Sequence, residues 1–334
     1  MKSNVKSNTP RTSIPAKTVP GTILLVLGLI AVASPVSLFE RLPSAFASEG
    51  NVLKVPRDFA TIQAAVNAAS SGDTIKVAAG VYNENVVIAK SGIRLRASSG
   101  AVIDGAGLTG TGILVLATAA QPVTGVEVSG FEVRDFQRGI VVQLATETRI
   151  LGNEVHDNIK WPGAAGALDQ AVGIDLNTAH SSNVSENFVH NNGARGISLR
   201  VGSTNNVVQG NRIFENGTLL KTNMGGAGVL TTGAGTNDNE ILENEILRNY
   251  GDGVMVTRPA GTVPITGNLV AKNQAHENQR AGISCMGATK DNVIFKNDAR
   301  DNNLSGLPPC LTFNLFEEIP GSNIWTRNKG TSNY

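Results

Sequence analysis

The sequence is poor in aromatic residues, in cysteine and in net charge, and each of these scarcities excludes some fold classes or binding partners. Aromatic residues make up 4% of the 334 residues, whereas glycine occurs 37 times, a composition that favours short strands and tight turns over a helical core. The formal net charge of +1 provides no overall field that would attract nucleic acid or an acidic partner. We therefore expect no nucleic-acid partner.

Long apolar runs are also scarce, and the one that stands out lies near the N-terminus. Residues 21–34 form an apolar run that follows several Lys and Arg residues and precedes Ala45 and Ala47, the small-x-small pattern of a signal-peptidase site. The pattern predicts a signal peptide at residues 1–47 and a soluble, monomeric domain at 48–334. That domain would be secreted or held in the periplasm or cell envelope, without membrane contact. An uncleaved membrane anchor is the alternative, because the run could extend to Phe39.

A short helix is predicted at the start of this domain, where Ile62, Ala65, Val66 and Ala69 have helical spacing. Ser and Gly at residues 70–72 end it, and an alternating strand follows. Residues 52–72 therefore read as a cap on the open end of a larger structure.

A repeat follows the cap, with Gly-aliphatic pairs that recur at a shortest spacing of 23 residues and Asn-x-aliphatic steps between them. The pairs begin at Gly139, Gly173, Gly196, Gly228, Gly253 and Gly282, and the steps begin at Asn153, Asn187, Asn211, Asn244, Asn268 and Asn297. One repeat holds three strands and three turns, so each strand pairs with its equivalent in the next repeat, about 4.8 Å away. The predicted fold is all-β, a single-stranded right-handed parallel β-helix of roughly nine coils with a short N-terminal capping helix.

The recurrent Asn is predicted to lie at the turn between the second and third strands of each coil. We expect it to adopt a left-handed backbone conformation and to bond to the Asn of the next coil, so that the side chains form a ladder. Most of these Asn residues are therefore expected to be structural.

The pattern over residues 52–330 resembles the pectin-lyase-like superfamily of β-helix repeat proteins. The segment "ATIQAAVNAASSGDTIKVAAGVYNENV" is similar to the N-terminal cap of pectinesterases and of NosD-like proteins. At the other end, a cap is predicted at about residues 311–334, with Phe313, Phe316 and Trp325 plugging the last coil. A disulfide between Cys285 and Cys310, on adjacent coils, would tie this end down, with two free thiols as the alternative.

In this fold the first strand of each coil, which follows the Gly-aliphatic pair, lines a groove. Alternation predicts a set of outward-facing residues on these strands, namely Val141, Gln143, Asp175, Asn177, Ser198, Arg200, Leu230, Thr232, Met255, Thr257, Ser284 and Met286. Only the middle of this face is ionic, where Asp175 and Arg200 lie on adjacent coils.

The ionic middle of the groove is the candidate site for an acidic sugar chain. We assign catalytic roles to Asp175, Arg200 and His180 and substrate contacts to four further residues, Asn177, Arg195, Trp161 and Lys221. Arg grips a carboxylate in a bidentate manner, and the two long inserts bring Trp161 and Lys221 beside the groove. Each of these residues also has a structural interpretation. Asp175 and Arg200 could form a solvated ion pair of little energetic value, His180 and Arg195 could be turn residues, and Trp161 could pack its insert onto the coil.

The closest motif resemblance is to the mannuronan C5-epimerase module, whose Y-G-F-D-P-H-[DE] segment aligns with "VGIDLNT". Gly173 and Asp175 match, but Val172 and Asn177 replace the two groups that transfer protons in that family. The motifs of polygalacturonases, pectinesterases and pectate lyases are each incomplete here. If the site is catalytic, His180 or an Arg must supply the proton steps.

Metal binding has a separate candidate in His156 and His190, which occupy matching places in successive coils and are expected to face each other. NosD-like relatives are associated with copper delivery, and two such His could hold a transition metal, although stacked surface residues are the simpler interpretation. We assign no metal ligands and no cofactor, and Ca²⁺ stays open.

Three functions are therefore carried forward. The first is a secreted protein that binds an acidic polysaccharide and processes it as a lyase or epimerase. The second is a non-catalytic glycan-binding or structural protein of the cell envelope. The third is a NosD-like periplasmic accessory for metal handling.

Overall fold

The computed structural model of the chain describes residues 50–159, 171–220, 226–305 and 313–333. The described part begins with strand β1 (Val52–Val55) and helix α1 (Ile62–Ala68). Thr61 caps the helix by accepting a hydrogen bond from the Ala64 N–H, as a threonine at this position commonly does. The apolar face of α1 is buried as predicted, which confirms the N-terminal cap.

Three parallel sheets of 9, 11 and 8 strands run along the molecule, and each coil in its middle contributes one strand to each sheet. The first sheet consists of β4 (Val86–Ile88), β7 (Thr111–Leu116), β10 (Arg138–Gln143), β13 (Val172–Asn177), β16 (Arg195–Arg200), β19 (Val229–Thr232), β22 (Val254–Arg258), β25 (Ile283–Gly287) and β27 (Leu315–Glu317). The second sheet consists of β1, β2 (Thr74–Val77), β5 (Arg94–Ala97), β8 (Glu127–Ser129), β11 (Arg149–Leu151), β14 (Asn183–Ser185), β17 (Val207–Gln209), β20 (Glu240–Leu242), β23 (Leu269–Ala271), β26 (Val293–Phe295) and β28 (Ile324–Thr326). The third sheet consists of β3 (Gly80–Tyr82), β6 (Ala101–Asp104), β9 (Glu132–Arg134), β12 (Glu154–His156), β15 (Phe188–His190), β18 (Arg212–Phe214), β21 (Glu245–Leu247) and β24 (Gln274–His276).

This arrangement is the predicted right-handed parallel β-helix. Every strand pairs with its equivalent one coil away, as when Ile140 of β10 lies opposite Ile174 of β13, which lies opposite Ile197 of β16. Stacked aliphatic side chains fill the interior in one continuous core. None of the described helices is long and apolar enough to cross a membrane.

Asparagine ladders occupy all three corners of the coil, rather than the single corner that the sequence indicated. At the corner between the second and third sheets the ladder consists of Asn153, Asn187, Asn211, Asn244, Asn273, Asn297 and Asn328. Between the third and first sheets it consists of Asn158, Asn192, Asn216, Asn249, Asn278 and Asn302. Between the first and second sheets it consists of Asn206, Asn239, Asn268, Asn292 and Asn323, so Asn268 belongs to a different ladder from Asn153.

Each ladder rung uses both amide groups of an asparagine. The backbone N–H and the side-chain Nδ2 of Asn187 both donate to Oδ1 of Asn211, at 3.0 and 2.9 Å. Nδ2 of Asn187 also donates to the carbonyl of Ile150, at 2.9 Å. A buried polar group is stable only when it is hydrogen-bonded, and this geometry satisfies both ends of a fully buried side chain.

The left-handed backbone conformation falls on the residue before the asparagine, which corrects the sequence prediction. At the corner between the second and third sheets, Glu186 has φ 58°, Gly210 has φ 64° and Glu243 has φ 55°. These residues turn the corner, and the side chains of Glu186 and Glu243 are exposed. The asparagine that follows is therefore directed into the coil, where it can stack.

The C-terminal end is closed only partly as predicted. Trp325 of β28 packs against the main core, but Phe316 faces outward and packs with Ala281 and Phe313. The interior position of the last described strand in the first sheet is filled by Glu317, which is 1% exposed and accepts hydrogen bonds from the backbone and side chain of Asn323.

Replacing Asn211 with Ala should lower the free energy of unfolding by about 2–5 kcal/mol, because the two donors of Asn187 lose their buried acceptor. The urea midpoint, followed by circular dichroism, measures the change. Asn183→Ala is the matched control, since the Oδ1 of that half-buried residue has no hydrogen-bond partner. Equal shifts for the two variants would contradict the structural role of the ladder.

Candidate functional site on the first sheet

Two rows of outward-facing side chains run along the first sheet, with one residue per coil in each. The first row contains Val141, Asp175, Ser198, Leu230, Met255 and Ser284, and the second row contains Gln143, Asn177, Arg200, Thr232, Thr257 and Met286. The register of these strands confirms the alternation predicted from the sequence.

The two rows differ in exposure, which the sequence did not predict. Every residue of the first row is buried, from 0% exposed at Asp175 to 4% at Met255. Every residue of the second row is partly exposed, and Arg200 at 11% is largely covered. Part of the cover is apolar, since Leu230 and Met255 pack with Ala227 in a cluster outside the coil. The surface open to a ligand is therefore the second row.

Asp175 and Arg200 form a buried, bidentate ion pair. Nε of Arg200 donates to Oδ1 of Asp175 and Nη2 donates to Oδ2, both at 2.8 Å. The side chains are 0% and 11% exposed, so the alternative of a solvated surface pair is wrong. A pair of this kind is costly to break, because removing one partner leaves the other charge buried and uncompensated.

Arg138 is a third member of this cluster, and the sequence prediction missed it. Its Nη1 lies 3.7 Å from Oδ2 of Asp175, and its side chain is 26% exposed. Asp175 is thus bracketed by Arg138 on the coil before and Arg200 on the coil after. The signal that could have found it is the Arg-Gly-Ile sequence at residues 138–140, which recurs at 195–197.

The other predicted site residues are only partly brought together. Asn177 lies in the second row directly beside Arg200. Arg195 begins β16 and is 8% exposed. His180 lies at the next corner, where its Nδ1 is 2.8 Å from Oγ1 of Thr204. Trp161 and Lys221 lie outside the described residues.

A second buried carboxyl group lies further along the first sheet. Asp252 is 0% exposed; its Oδ2 accepts a hydrogen bond from Oγ of Ser284 at 3.1 Å, and its Oδ1 accepts one from the Ala281 N–H at 2.9 Å. Burial raises the pKa of Asp252 to about 6, against the opposing effect of Arg280, whose Nε is 4.0 Å away. Sequence analysis missed this residue, and the only signal for it is its place directly before Gly253 of a Gly-aliphatic pair.

His156 and His190 stack on the third sheet, as their matching positions predicted. Their rings lie 4.8 Å apart at an interplanar angle of 4°, and Phe214 continues the stack. Nε2 of His156 is 3.3 Å from a carboxylate oxygen of Glu132, and Nε2 of His190 is 3.3 Å from one of Glu154. The in-plane nitrogen lone pairs of parallel rings do not converge on one point, and the described residues contain no group of three metal-ligating His, Cys, Asp or Glu side chains.

Cys285 is a free, buried thiol inside the coil, and Cys310 lies outside the described residues. The register argument for a disulfide is wrong, because the strand that pairs with β25 is β27 and places Glu317 opposite Cys285. Burial and the nearby Glu317 raise the pKa of the Cys285 thiol well above its ordinary value. This thiol is therefore part of the core.

These features define a right-handed parallel β-helix protein with a polar second row on its first sheet. A family model described as "Periplasmic copper-binding protein (NosD)" matches residues 66–306, and the chain belongs to this family.

The chain is also similar to a curated protein in part of its sequence and to solved structures in its fold. A 3-dehydroshikimate dehydratase of Acinetobacter baylyi is 35% identical over 104 residues, which cover 28% of this chain and only 20% of that protein. The A-module of the Azotobacter vinelandii mannuronan C-5 epimerase AlgE4 is 15% identical with a TM-score of 0.54, over 77% of this chain and 76% of that one. The pectate lyase Pel9A is 14% identical with a TM-score of 0.50, over 80% and 72%. At these identities the structural likenesses show the fold alone.

Replacing Arg200 with Met should lower the free energy of unfolding by about 3 kcal/mol, because the Asp175 carboxylate stays buried with only the more distant Arg138 near it. The double variant Asp175→Leu, Arg200→Met should recover most of this loss, since an apolar pair replaces the ion pair. Chemical denaturation of the single and double variants measures both effects. Additive losses would contradict the coupling.

The stability should also depend on Asp252 between about pH 4 and pH 6. A carboxyl group whose pKa is raised on folding keeps its proton in the folded state above its unfolded value of about 4. The contribution of Asp252 to the free energy of unfolding is therefore largest below pH 4, and it falls as the pH rises to about 6. Denaturation curves at several pH values test this, with Asp252→Asn as the comparison. The variant should gain about 2 kcal/mol relative to wild type across this window, whereas parallel profiles would contradict the assignment.

Proposed function

We propose that this chain binds an acidic polysaccharide along the second row of its first sheet. The observation that carries the proposal is the row itself, in which half-exposed amide and hydroxyl side chains follow one another at one residue per coil around Arg200. Such groups form hydrogen bonds with sugar hydroxyls, and their regular spacing suits a polymer that lies along the helix axis.

An acidic polymer is favoured by the charges at the centre of the row. The guanidinium groups of Arg138 and Arg200 share one carboxylate, Asp175, so the three side chains together carry one excess positive charge. Guanidinium groups bind carboxylates well. The epimerase and lyase names of the proteins with the same fold support a polysaccharide ligand by analogy only.

Binding is the better-supported activity, and catalysis by Asp175, Arg200 and His180 stays a prediction. Both carboxylate oxygens of Asp175 are held by Arg200 in a fully buried position. His180 is hydrogen-bonded to Thr204 at the neighbouring corner. A lyase or epimerase needs a base and a proton donor beside the sugar, and Val172 and Asn177 occupy the positions of those groups in the epimerase motif.

Copper is implied by the description of the family, and the described residues do not form a centre that fits it. The stacked pair His156 and His190 has parallel rings, and Nε2 of each ring faces a carboxylate. Two imidazoles in this arrangement cannot ligate one ion without rotating. We therefore derive no function from copper.

The proposed location is outside the cytoplasm, in the periplasm or cell envelope, with the chain acting as a monomer. The basic and apolar N-terminal segment and the periplasmic description of the family support this location. Polysaccharides of the envelope or the surroundings would then be accessible to the second row.

Titration of the chain from Ser48 onward with pectate and alginate oligomers, by isothermal calorimetry, tests the proposal. Wild type should bind, and Asn177→Trp should bind at least about tenfold more weakly, because an indole in the half-exposed second row blocks the groove. Gln209→Trp is the matched control, since it places an indole at a half-exposed amide position of the second sheet. Absence of binding, or equal losses in both variants, would contradict the proposal.

The same mixtures report on catalysis. A rise in ultraviolet absorbance from unsaturated uronates would show a lyase, and a change in the proton NMR spectrum without cleavage would show an epimerase. Either result, if abolished by Asp175→Asn, would establish the predicted catalytic role.

A further inference from the structure

The two arginines that bracket Asp175 differ in how many of their hydrogen-bond donors Asp175 already uses. Arg200 makes two hydrogen bonds of 2.8 Å to the Asp175 carboxylate, and its side chain is 11% exposed. The edge of its guanidinium group that would grip a carboxylate is therefore already occupied. Arg200 fixes Asp175, and a ligand can replace that interaction only by leaving a carboxylate buried and unpaired.

Arg138 is in the opposite situation. Its Nη1 is 3.7 Å from Oδ2 of Asp175, which is beyond the length of a hydrogen bond. Its Nε is buried without a hydrogen-bond partner, although the side chain as a whole is 26% exposed. Since Nε is buried, the edge of the guanidinium group that carries Nη1 and Nη2 is the part of this partly exposed side chain that can contact an anion.

Position as well as capacity favours Arg138. The residue begins β10, on the coil before Asp175, and its guanidinium group reaches the carboxylate that also holds Arg200 of the second row. Asn177 of the second row follows Asp175 by two residues on β13 and lies opposite Gln143 of β10. Two residues of a strand span roughly 7 Å, so the carboxylate that Arg138 contacts lies close to the path of a sugar chain along that row.

We propose that Arg138 is the residue that recognises the carboxylate of the bound polysaccharide and so sets the preference for uronate-containing polymers over neutral ones. The inference rests on the proposed function, because it names the group of the same groove that reads the charge of the ligand. Asp175 acts as a positioning residue for this recognition, since it holds the guanidinium groups of Arg138 and Arg200 in place. Its single negative charge neutralises only one of them. The bound carboxylate supplies the second negative charge, and the planar fork of Arg138 can donate hydrogen bonds to it in a bidentate manner.

The test compares one polymer with and without its charge. An oligouronate and its carboxyl-reduced, neutral counterpart are titrated into wild type, Arg138→Gln and Arg149→Gln. Arg149 is a matched control, because it begins β11 on the second sheet and its Nη1 lies at a similar 3.8 Å from a carboxylate oxygen, in Glu127. Wild type and Arg149→Gln should prefer the oligouronate by at least about tenfold, and Arg138→Gln should bind both ligands alike.

The outcomes separate this inference from the proposed function. If wild type binds neither ligand, the proposed function fails and the inference fails with it. If wild type prefers the oligouronate and Arg138→Gln keeps the full preference, the inference alone is overturned. Circular dichroism verifies the fold of each variant. If Arg138→Gln does not fold, Arg138→Lys replaces it in the titrations. Because Lys lacks the bidentate fork, the preference of this variant for the oligouronate should fall at least about threefold. An unchanged preference for the oligouronate would overturn the inference.

Discussion

The buried asparagine ladders are the constraint on which the rest of the structure depends. An asparagine inside a coil is tolerated only if its amide is satisfied, and up to the last member of each ladder the acceptor is the asparagine one coil further on. This requirement holds the parallel direction and the register of the strands in the coils that the ladders join. With ladders at all three corners, a coil can shift against its neighbour only by breaking buried hydrogen bonds, so the outer surfaces inherit the same regular spacing.

The two rows of the first sheet show what such a scaffold can hold. Since successive coils are in register, Asp175 can lie between arginines from the coils on either side, an arrangement that no single strand could provide. Because the first row is buried, Asp175 has a structural role: its carboxylate and the guanidinium group of Arg200 pair with each other away from water. The second row keeps its polar groups partly exposed, and one of them, Arg200, belongs to the cluster, to which Arg138 adds one excess positive charge.

Much of the fold followed from the sequence because its cause is local and repeated. The Gly-aliphatic and Asn-x-aliphatic steps report the strand positions directly, and both outward rows, the pairing of Asp175 with Arg200 and the stacking of His156 on His190 were predicted from them. The burial of the first row could not be predicted, since it depends on contacts between side chains of different coils, such as the packing of Leu230 with Met255 and Ala227. The approach of Arg138 to Asp175 was missed because it depends on how far the arginine side chain extends from its own coil to the next. The residue expected opposite Cys285 on the next coil was mispredicted, because the spacing of the repeat breaks down before the last coil and places Glu317 there.

The second row of the first sheet is the proposed polysaccharide-binding surface, and a crystal structure of the protein with a bound oligouronate would show whether it is. We expect the sugar chain to lie along Gln143, Asn177 and Thr232, with a carboxylate within hydrogen-bonding distance of Arg138. A ligand seated on the third sheet beside His156 and His190, or one on the first sheet with its carboxylates turned away from Arg138, would contradict this expectation.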